Sequence, residues 1–325
     1  MNRLNKIGGD EEFNHRLLSY LKKQLSTNIQ QFTHIKKNVY FIKMEDGTPI
    51  IVKGFSSRRS LLIQDAFTSS LKKNHFHSTY MFYQGMTSLQ FNKKYYGLLE
   101  YINPSKQRFL YNSMENCQEA MSLLQKYHQT SKKLVGSYRR LLPSFDLQNK
   151  WEERFFLFLK NEDILSYFIP REIVSELISW AEWSLKGLKK EKESLFRQPV
   201  VILHGDVAHH NFLRKSNGDL YLIDFDLISV GPVFADYVQY ANRILPFLNW
   251  SLPALNEFPI IQPYFQQKLF LYALAYPTDI FREWNRLIKE QSHQDLNKIR
   301  NTLQLTFSQF DQRQEFVREL MRIVK

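Results

Sequence analysis

The sequence has a single cysteine, Cys117, among 325 residues, so no internal disulfide can form and a reducing compartment is expected. No run approaches the roughly 18 apolar residues a membrane span needs, and the opening MNRLNKIGGDEEFNHRLL lacks the long apolar core of a signal peptide. A soluble, cytoplasmic protein is the expectation. Internal repeats and low-complexity tracts are missing. The 43% hydrophobic and 15% aromatic content gives a chain of this length ample material to bury, which excludes disorder and suffices for two lobes. Long basic runs are missing as well, despite a net charge of +12. The cations come in scattered doublets such as Lys22-Lys23, Arg58-Arg59 and Lys93-Lys94, which read as a solvated face, and no nucleic-acid partner is expected. Their distribution is uneven. Residues 1–103 hold 15 Lys and Arg against seven Asp and Glu, whereas residues 150–325 hold 22 of each.

Hydrophobic periodicity divides the chain. After Asp10, a plausible cap, Phe13, Leu17, Leu21 and Leu25 recur at four-residue spacing and predict a helix over residues 11–25. Asn38–Lys43 and Pro49–Lys53 are β-rich runs separated by Glu45-Asp46-Gly47-Thr48, and the Asp-Gly pair predicts a hairpin with Lys53 near its end. A helix is expected over residues 57–73, and strands over Thr79–Gln84 and Tyr95–Ile102, broken at Asn103-Pro104. From residue 114 onward helices dominate: 114–130, 151–158, 173–188, 237–245, 264–276, 279–290 and 307–324. His128 sits on the apolar face of the first of these, as a packed core histidine. Sheet material early and helical material late define an α+β chain with a small β-rich lobe, residues 1–102, and a larger helical one, residues 103–325.

Chemistry concentrates in Val200–Asp236. The apolar run Val200–Leu203 leads into His204-Gly205-Asp206, and Asn211 follows five residues after Asp206. A second apolar run, Leu220–Ile223, follows the turn signal Ser216-Asn217-Gly218-Asp219 and delivers Asp224 and Asp226. Read as one hairpin, the two runs bring a carboxylate, an amide and further carboxylates to the same end. That donor set suits a hard divalent cation, because Mg²⁺ takes oxygen ligands. Asp226 either joins the metal or closes a turn. His209 and His210 offer a transition-metal alternative, weak because adjacent side chains rarely face one ion.

HGDVAHHN followed by LIDFD, after a strand lysine and a helix, resembles the aminoglycoside phosphotransferase and choline kinase group. GPVFADYVQY resembles the segment after that group's metal-binding aspartate, and LLQKYHQTS, IDFD and DYVQY look closest to bacterial spore-coat-associated kinase-like proteins. The resemblance implies a protein-kinase-like two-lobe fold, ATP and Mg²⁺ as cofactors, and a small-molecule hydroxyl as acceptor, with the spore coat as an alternative location. It implies Asp206 as the base, Asn211 and Asp224 as metal ligands, and Lys53 on the α- and β-phosphates. Glu100, Tyr101 and Ile102 would meet adenine through their backbone, while His204 and Asp236 would be structural.

Two departures from the group's pattern stand out. The segment QQFTHIKKNVY, residues 30–40, contains no glycine where a glycine-rich loop would cover phosphates. The helix after Lys53 offers only Gln64 and Asp65 in place of a glutamate, which predicts a lysine held less firmly. A catalytically weak or inactive kinase-like binding protein is therefore the alternative reading.

Overall fold

The computed structural model describes residues 4–83, 89–290 and 295–325. In chain order the first elements are α1 (Leu4–Leu25), β1 (Ile29–Lys36), β2 (Val39–Met44), β3 (Pro49–Phe55), α2 (Arg58–Lys73), β4 (Leu89–Phe91) and β5 (Lys94–Glu100). There follow α3 (Met114–Tyr138), α4 (Leu147–Lys160), α5 (Glu162–Leu165), α6 (Arg171–Lys190), α7 (Lys192–Phe196), β6 (Val200–Leu203), β7 (Phe212–Arg214), β8 (Leu220–Leu222) and β9 (Ser229–Pro232). The chain ends in α8 (Phe234–Ile244), α9 (Leu252–Asn256), α10 (Lys268–Ala275), α11 (Thr278–Lys289), α12 (Leu296–Phe307) and α13 (Phe310–Val324). Two compact units result: Met1–Arg108 with Leu213–Asp226, and Phe109–Phe212 with Leu227–Lys325. A cut at residue 102/103 is contiguous in sequence, whereas these units interleave, because the segment ending in Asp224 and Asp226 folds with the first.

The first unit is built on an antiparallel sheet of order β1-β2-β3-β5-β4. Alternation places Ile42, Val52 and Leu98 on its buried face, where Leu17 and Leu21 of α1 cover them with no exposure. The Asp-Gly turn is as its residues dictate. Gly47 takes φ +87, which L side chains rarely adopt, and the Asp46 carboxylate accepts from Thr48 N at 2.9 Å. β1 was not legible in the sequence, since all but two of its residues are exposed and no apolar alternation marks it. It closes on β2 through a tight turn at Lys37-Asn38, with Asn38 at φ +60. Asp10 falls inside α1 and not at its start, so it is not the cap. Ser57 is a true cap, accepting from Ser60 N at the head of α2. The strand expected over Thr79–Gln84 reduces to a single bridge, Phe82 to Leu99, and Gln84 lies outside the described residues.

In the second unit β6 pairs antiparallel with β9, Val201 opposite Gly231 and Leu203 opposite Ser229. This corrects the expected hairpin. The run Leu220–Ile223 pairs instead with the three-residue β7, across the Ser216–Asp219 turn. β7 is too short and too mixed in polarity to register as a strand, which is why the run was assigned the wrong partner. Packed on β6 is α3, and Ser131 Oγ donates to Ile202 O at 3.0 Å. α4 meets α11 through stacked Phe158 and Phe281, 4.0 Å apart, and Trp151 stacks on Tyr276 at 4.3 Å. The helix expected over residues 307–324 is α13, which begins at Phe310 after Gln309 turns left-handed at φ +61, and α12 before it was not expected.

Packing of α6 on α10 requires a missing side chain. A Cβ at Gly187 would lie 1.9 Å from Tyr272 Cδ1, whereas one at Gly136 on α3 would meet nothing within 4 Å. Gly187→Ala should therefore destabilise the protein by about 1–3 kcal/mol through overpacking. Gly136→Ala should stabilise it by about 0.5–1 kcal/mol by removing chain entropy from the unfolded state. Urea midpoints of the two variants should move in opposite directions, and equal shifts would contradict this packing.

Candidate active site

In the first unit the site is a buried ammonium with two carboxylates. Lys53 sits on β3, next to Val52 of the core, and is 7% exposed. Its Nζ donates to Asp224 Oδ1 at 2.9 Å and to Asp226 Oδ1 at 2.7 Å. The strand β8 ends at Leu222, and Asp224 takes φ +71, a left-handed conformation that aspartate tolerates better than most residues. That turn, and not strand alternation, brings Asp224 and Asp226 to the same lysine. From the end of β1, Lys36 Nζ reaches the other Asp224 oxygen at 2.8 Å.

Burial opposes ionisation of both Lys53 and Asp224, but their charges decide the outcome. The lysine's loss of solvent is outweighed by Tyr80, Asp224 and Asp226, which hold its pKa above the ordinary lysine value. Asp224 loses solvent too, yet Lys53 and Lys36 hold its carboxyl well below the usual carboxylate range.

The expectation of a loosely held lysine is overturned by Gln64. This residue is 4% exposed and its Nε2 donates to Asp226 Oδ1 at 2.6 Å, while Tyr80 Oη reaches its Oε1 at 3.4 Å. The negative charge sought on α2 is carried by Asp226, and the Gln64 amide braces it. A glutamate at 64 would set a second carboxylate against Asp226. Asp65 stays outside the group, and burial lifts its carboxyl above the usual range. At the end of β5, Glu100 pairs with Ile50 and its carboxylate meets Lys72 Nζ at 3.1 Å. Beyond it Tyr101 packs edge-on against Phe41, and Ile102 is buried.

In the second unit the HGDVAHHN loop is tied to α8. Asp236 is 2% exposed and accepts from His204 N at 2.8 Å and Gly205 N at 3.1 Å, with His128 Nε2 at 2.9 Å. Burial works against its ionisation, but the hydrogen bond and charge of His128, with His204, hold its carboxyl below the usual range. One helical turn on, Gln239 accepts from Val207 N at 2.8 Å and donates to Gly205 O at 3.1 Å. Tyr111 Oη donates to Val207 O at 2.8 Å. Gly205 turns at φ +79, and a Cβ there would stand 2.4 Å from Leu227 O.

This frame leaves Asp206 partly open, its carboxylate 3.5 Å from Arg243 Nη2 and 3.9 Å from His210 Nε2. Asn211 Nδ2 donates to Asp206 O at 2.8 Å, so its Oδ1 is the atom left over. That oxygen is buried and has no hydrogen-bond partner among the described residues. The orphaned amide oxygen of Asn211 in the second unit and, separately, the Asp224 carboxylate held ionised by two lysines in the first are each the kind of hard donor Mg²⁺ takes. No group of three His, Cys, Asp or Glu suited to a metal occurs among the described residues.

Arg243, Gln239, Tyr111 and Lys36 were not found from the sequence. Asp236, Gln239 and Arg243 recur at three and four residues in DYVQYANR, which was a usable sign that one helix face serves the loop. Lys36 carried no signal beyond its doublet.

The five-stranded antiparallel sheet followed by a largely helical region is the protein-kinase-like fold. An aminoglycoside phosphotransferase from Alicyclobacillus acidocaldarius superimposes with a TM-score of 0.70 at 17% identity, over 91% of this chain and 92% of that one. The AMP-bound spectinomycin phosphotransferase follows at 0.62 and 16%, over 90% and 95%. The choline kinase of Streptococcus pneumoniae gives 0.50 and 14%, over 96% and 99%. None of the curated proteins matches the chain. Residues 28–257 match the profile of the phosphotransferase enzyme family, and the chain belongs to that family.

Two outcomes follow from these contacts. Gln64→Glu should destabilise the protein by about 1–3 kcal/mol, and adding Asp226→Asn should recover most of the loss, a coupling a double-mutant cycle measures. Additive effects would refute the shared charge. Asp236, through His128 and His204, and Asp279, through Arg313, both have folded pKa values held below the ordinary aspartate value despite their burial. Each therefore adds stability that is fully present above that unfolded value and is lost as pH falls through the lower folded one. Asp236→Asn should flatten the acid limb of a stability profile, measured by urea unfolding from neutral pH down to the onset of acid unfolding.

Proposed function

We propose that the chain is an ATP- and Mg²⁺-dependent phosphotransferase that moves the γ-phosphoryl group to a hydroxyl of a small molecule. The observation that carries this reading is the partnerless Oδ1 of Asn211, held on the same loop as Asp206 with its amide nitrogen spent on that loop. Asp206 accepts a hydrogen bond from the acceptor hydroxyl and takes its proton as the oxygen bonds to phosphorus. Lys53 lies against the α- and β-phosphates. The backbone of Glu100, Tyr101 and Ile102 takes the adenine. Asn211 and Asp224 would hold Mg²⁺, which would offset phosphate charge. Lys36, at the turn that stands where a glycine-rich loop would be, adds a cation in place of backbone N–H groups. The nucleotide-binding role falls to the β-rich lobe, residues 1–102, and the catalytic loop to the helical lobe. Among structural relatives, one aminoglycoside phosphotransferase binds ADP and another GDP, so ATP and GTP belong side by side in any binding assay.

One observation favours a second reading, a kinase-like binding or structural protein. Both Asp224 oxygens are taken by lysines, so a metal must displace or share them. The two readings separate on nucleotide binding and turnover.

ATP with Mg²⁺ should raise the melting temperature of the native protein, by about 2.7 kcal/mol of stabilisation at a hundredfold excess over Kd. Asp224→Ala should abolish the magnesium-dependent part. Asp206→Asn should keep the shift and lower transfer, with each acceptor that supports it, by about 10²–10⁴-fold. No shift at millimolar nucleotide would sink the enzyme reading, and a shift without turnover over a broad hydroxyl panel would favour the second.

A further inference from the structure

The second unit gathers cations around Asp206 with too few anions to match them. Lys150 and Arg154 lie one turn apart on α4, Arg243 projects from α8, and Arg282 from α11. None of the four is fully exposed. Lys150 has no carboxylate within ion-pair distance among the described residues, and its Nζ rests 5.0 Å over the Phe145 ring. Arg154 Nη1 donates to neutral acceptors, Thr278 O at 3.2 Å and Thr278 Oγ1. The nearby anions are committed elsewhere. Asp279 is paired with the buried Arg313, and Glu283 serves both Arg282 and Arg286. Asp206 itself is Arg243's carboxylate.

Arg282 is the hub of this crowding. Burial lowers the pKa of Lys150, Arg154 and Arg243, and the charge of Arg282 lowers all three further. Holding half-buried like charges together costs stability, and such arrangements mark sites that a ligand completes. A cavity of about 350 Å³ opens beside Arg243 and Arg282, walled by four cations, Arg243, Arg282, Arg286 and Lys298, and by three carboxylates, Asp279, Glu283 and Glu290, each of which is already paired with an arginine or lysine. Its Arg243 wall is the side chain that touches Asp206, so a molecule in the cavity lies beside the group that meets the acceptor hydroxyl.

We propose that this cluster binds an anionic group of the acceptor, so that the substrate is a hydroxyl compound already carrying a phosphate monoester. The inference rests on the phosphotransferase reading above. Guanidinium forks match tetrahedral oxyanions, and a dianion offsets more than one of the unmatched charges. A polycationic acceptor would find the cavity's carboxylates already paired with arginine or lysine and would meet the unmatched cations.

Inorganic phosphate is the test probe, titrated into the full-length protein at constant ionic strength and compared with acetate. Millimolar phosphate should raise the melting temperature more than acetate does. Arg282→Gln and Lys150→Gln should each weaken the apparent phosphate affinity by about tenfold. Both variants should keep the separate stabilisation by ATP with Mg²⁺. Lys150→Gln should also leave the unliganded melting temperature unchanged or higher, because it relieves crowding, a result that a packing role for Lys150 would not give. Absence of a phosphate shift, or a shift indifferent to both variants, overturns the anion site while leaving nucleotide binding intact. Acetate acting as strongly as phosphate overturns the phosphate monoester. A phosphate shift in a protein that shows none with ATP and Mg²⁺ sinks the phosphotransferase reading, and the acceptor role of this site with it.

Discussion

The buried ammonium of Lys53 is the constraint on which the first unit turns. An uncompensated charge at 7% exposure would neutralise or unfold its surroundings. Two carboxylates from the segment after β8 prevent this, and they explain why a stretch so distant in sequence folds with the sheet. Once Asp226 supplies the anion, an uncharged amide is what α2 must offer, and Gln64 supplies it. The substitution that looked like a loss in the sequence is a displacement of charge by a few ångströms. The same logic explains the left-handed Asp224. Its backbone cost is borne because that conformation puts the carboxylate on Lys53.

A buried acid plays the corresponding part in the second unit. Asp236 receives two backbone N–H groups of the HGD turn and a histidine, all within 3.1 Å, so the conformation of the loop is fixed from behind. Gln239 and Tyr111 hold the next peptide on. With the His204, Gly205 and Val207 N–H groups all bonded, the partly open Asp206 carboxylate and the partnerless Asn211 Oδ1 are the loop atoms left for chemistry. Preorganisation of this kind is how a site keeps reactive atoms in place before a substrate arrives.

What could be read from the sequence follows from how local the determinants were. Apolar periodicity gave the long helices and the Asp-Gly hairpin, because their cause lies within a few residues. The HGDVAHHN and LIDFD motifs gave the residues that line the two groups. β1 escaped because an exposed edge strand needs no apolar face, and the β6–β9 pairing escaped because its partner lies 29 residues away, past a short ladder of its own. The role of Asp226 was beyond reach for a further reason. It depends on which of two carboxylates meets a lysine 173 positions earlier, and no spacing rule encodes that.

The charge balance of the chain takes on a different meaning in this light. Residues 150–325 are neutral in sum, which by itself argues only against a strongly cationic acceptor. Neutrality over so many residues conceals separation within them. Acidic side chains on α11 are consumed by buried or shared arginines and Asp236 of α8 by His128 and two backbone N–H groups, while the cations of α4 are left facing neutral oxygens and a ring. A protein under selection for stability alone would relax such an arrangement by a single substitution at Lys150. An excess of cations beside the one open carboxylate of the loop places a requirement on the hydroxyl compound proposed to bind there, and that requirement is negative charge.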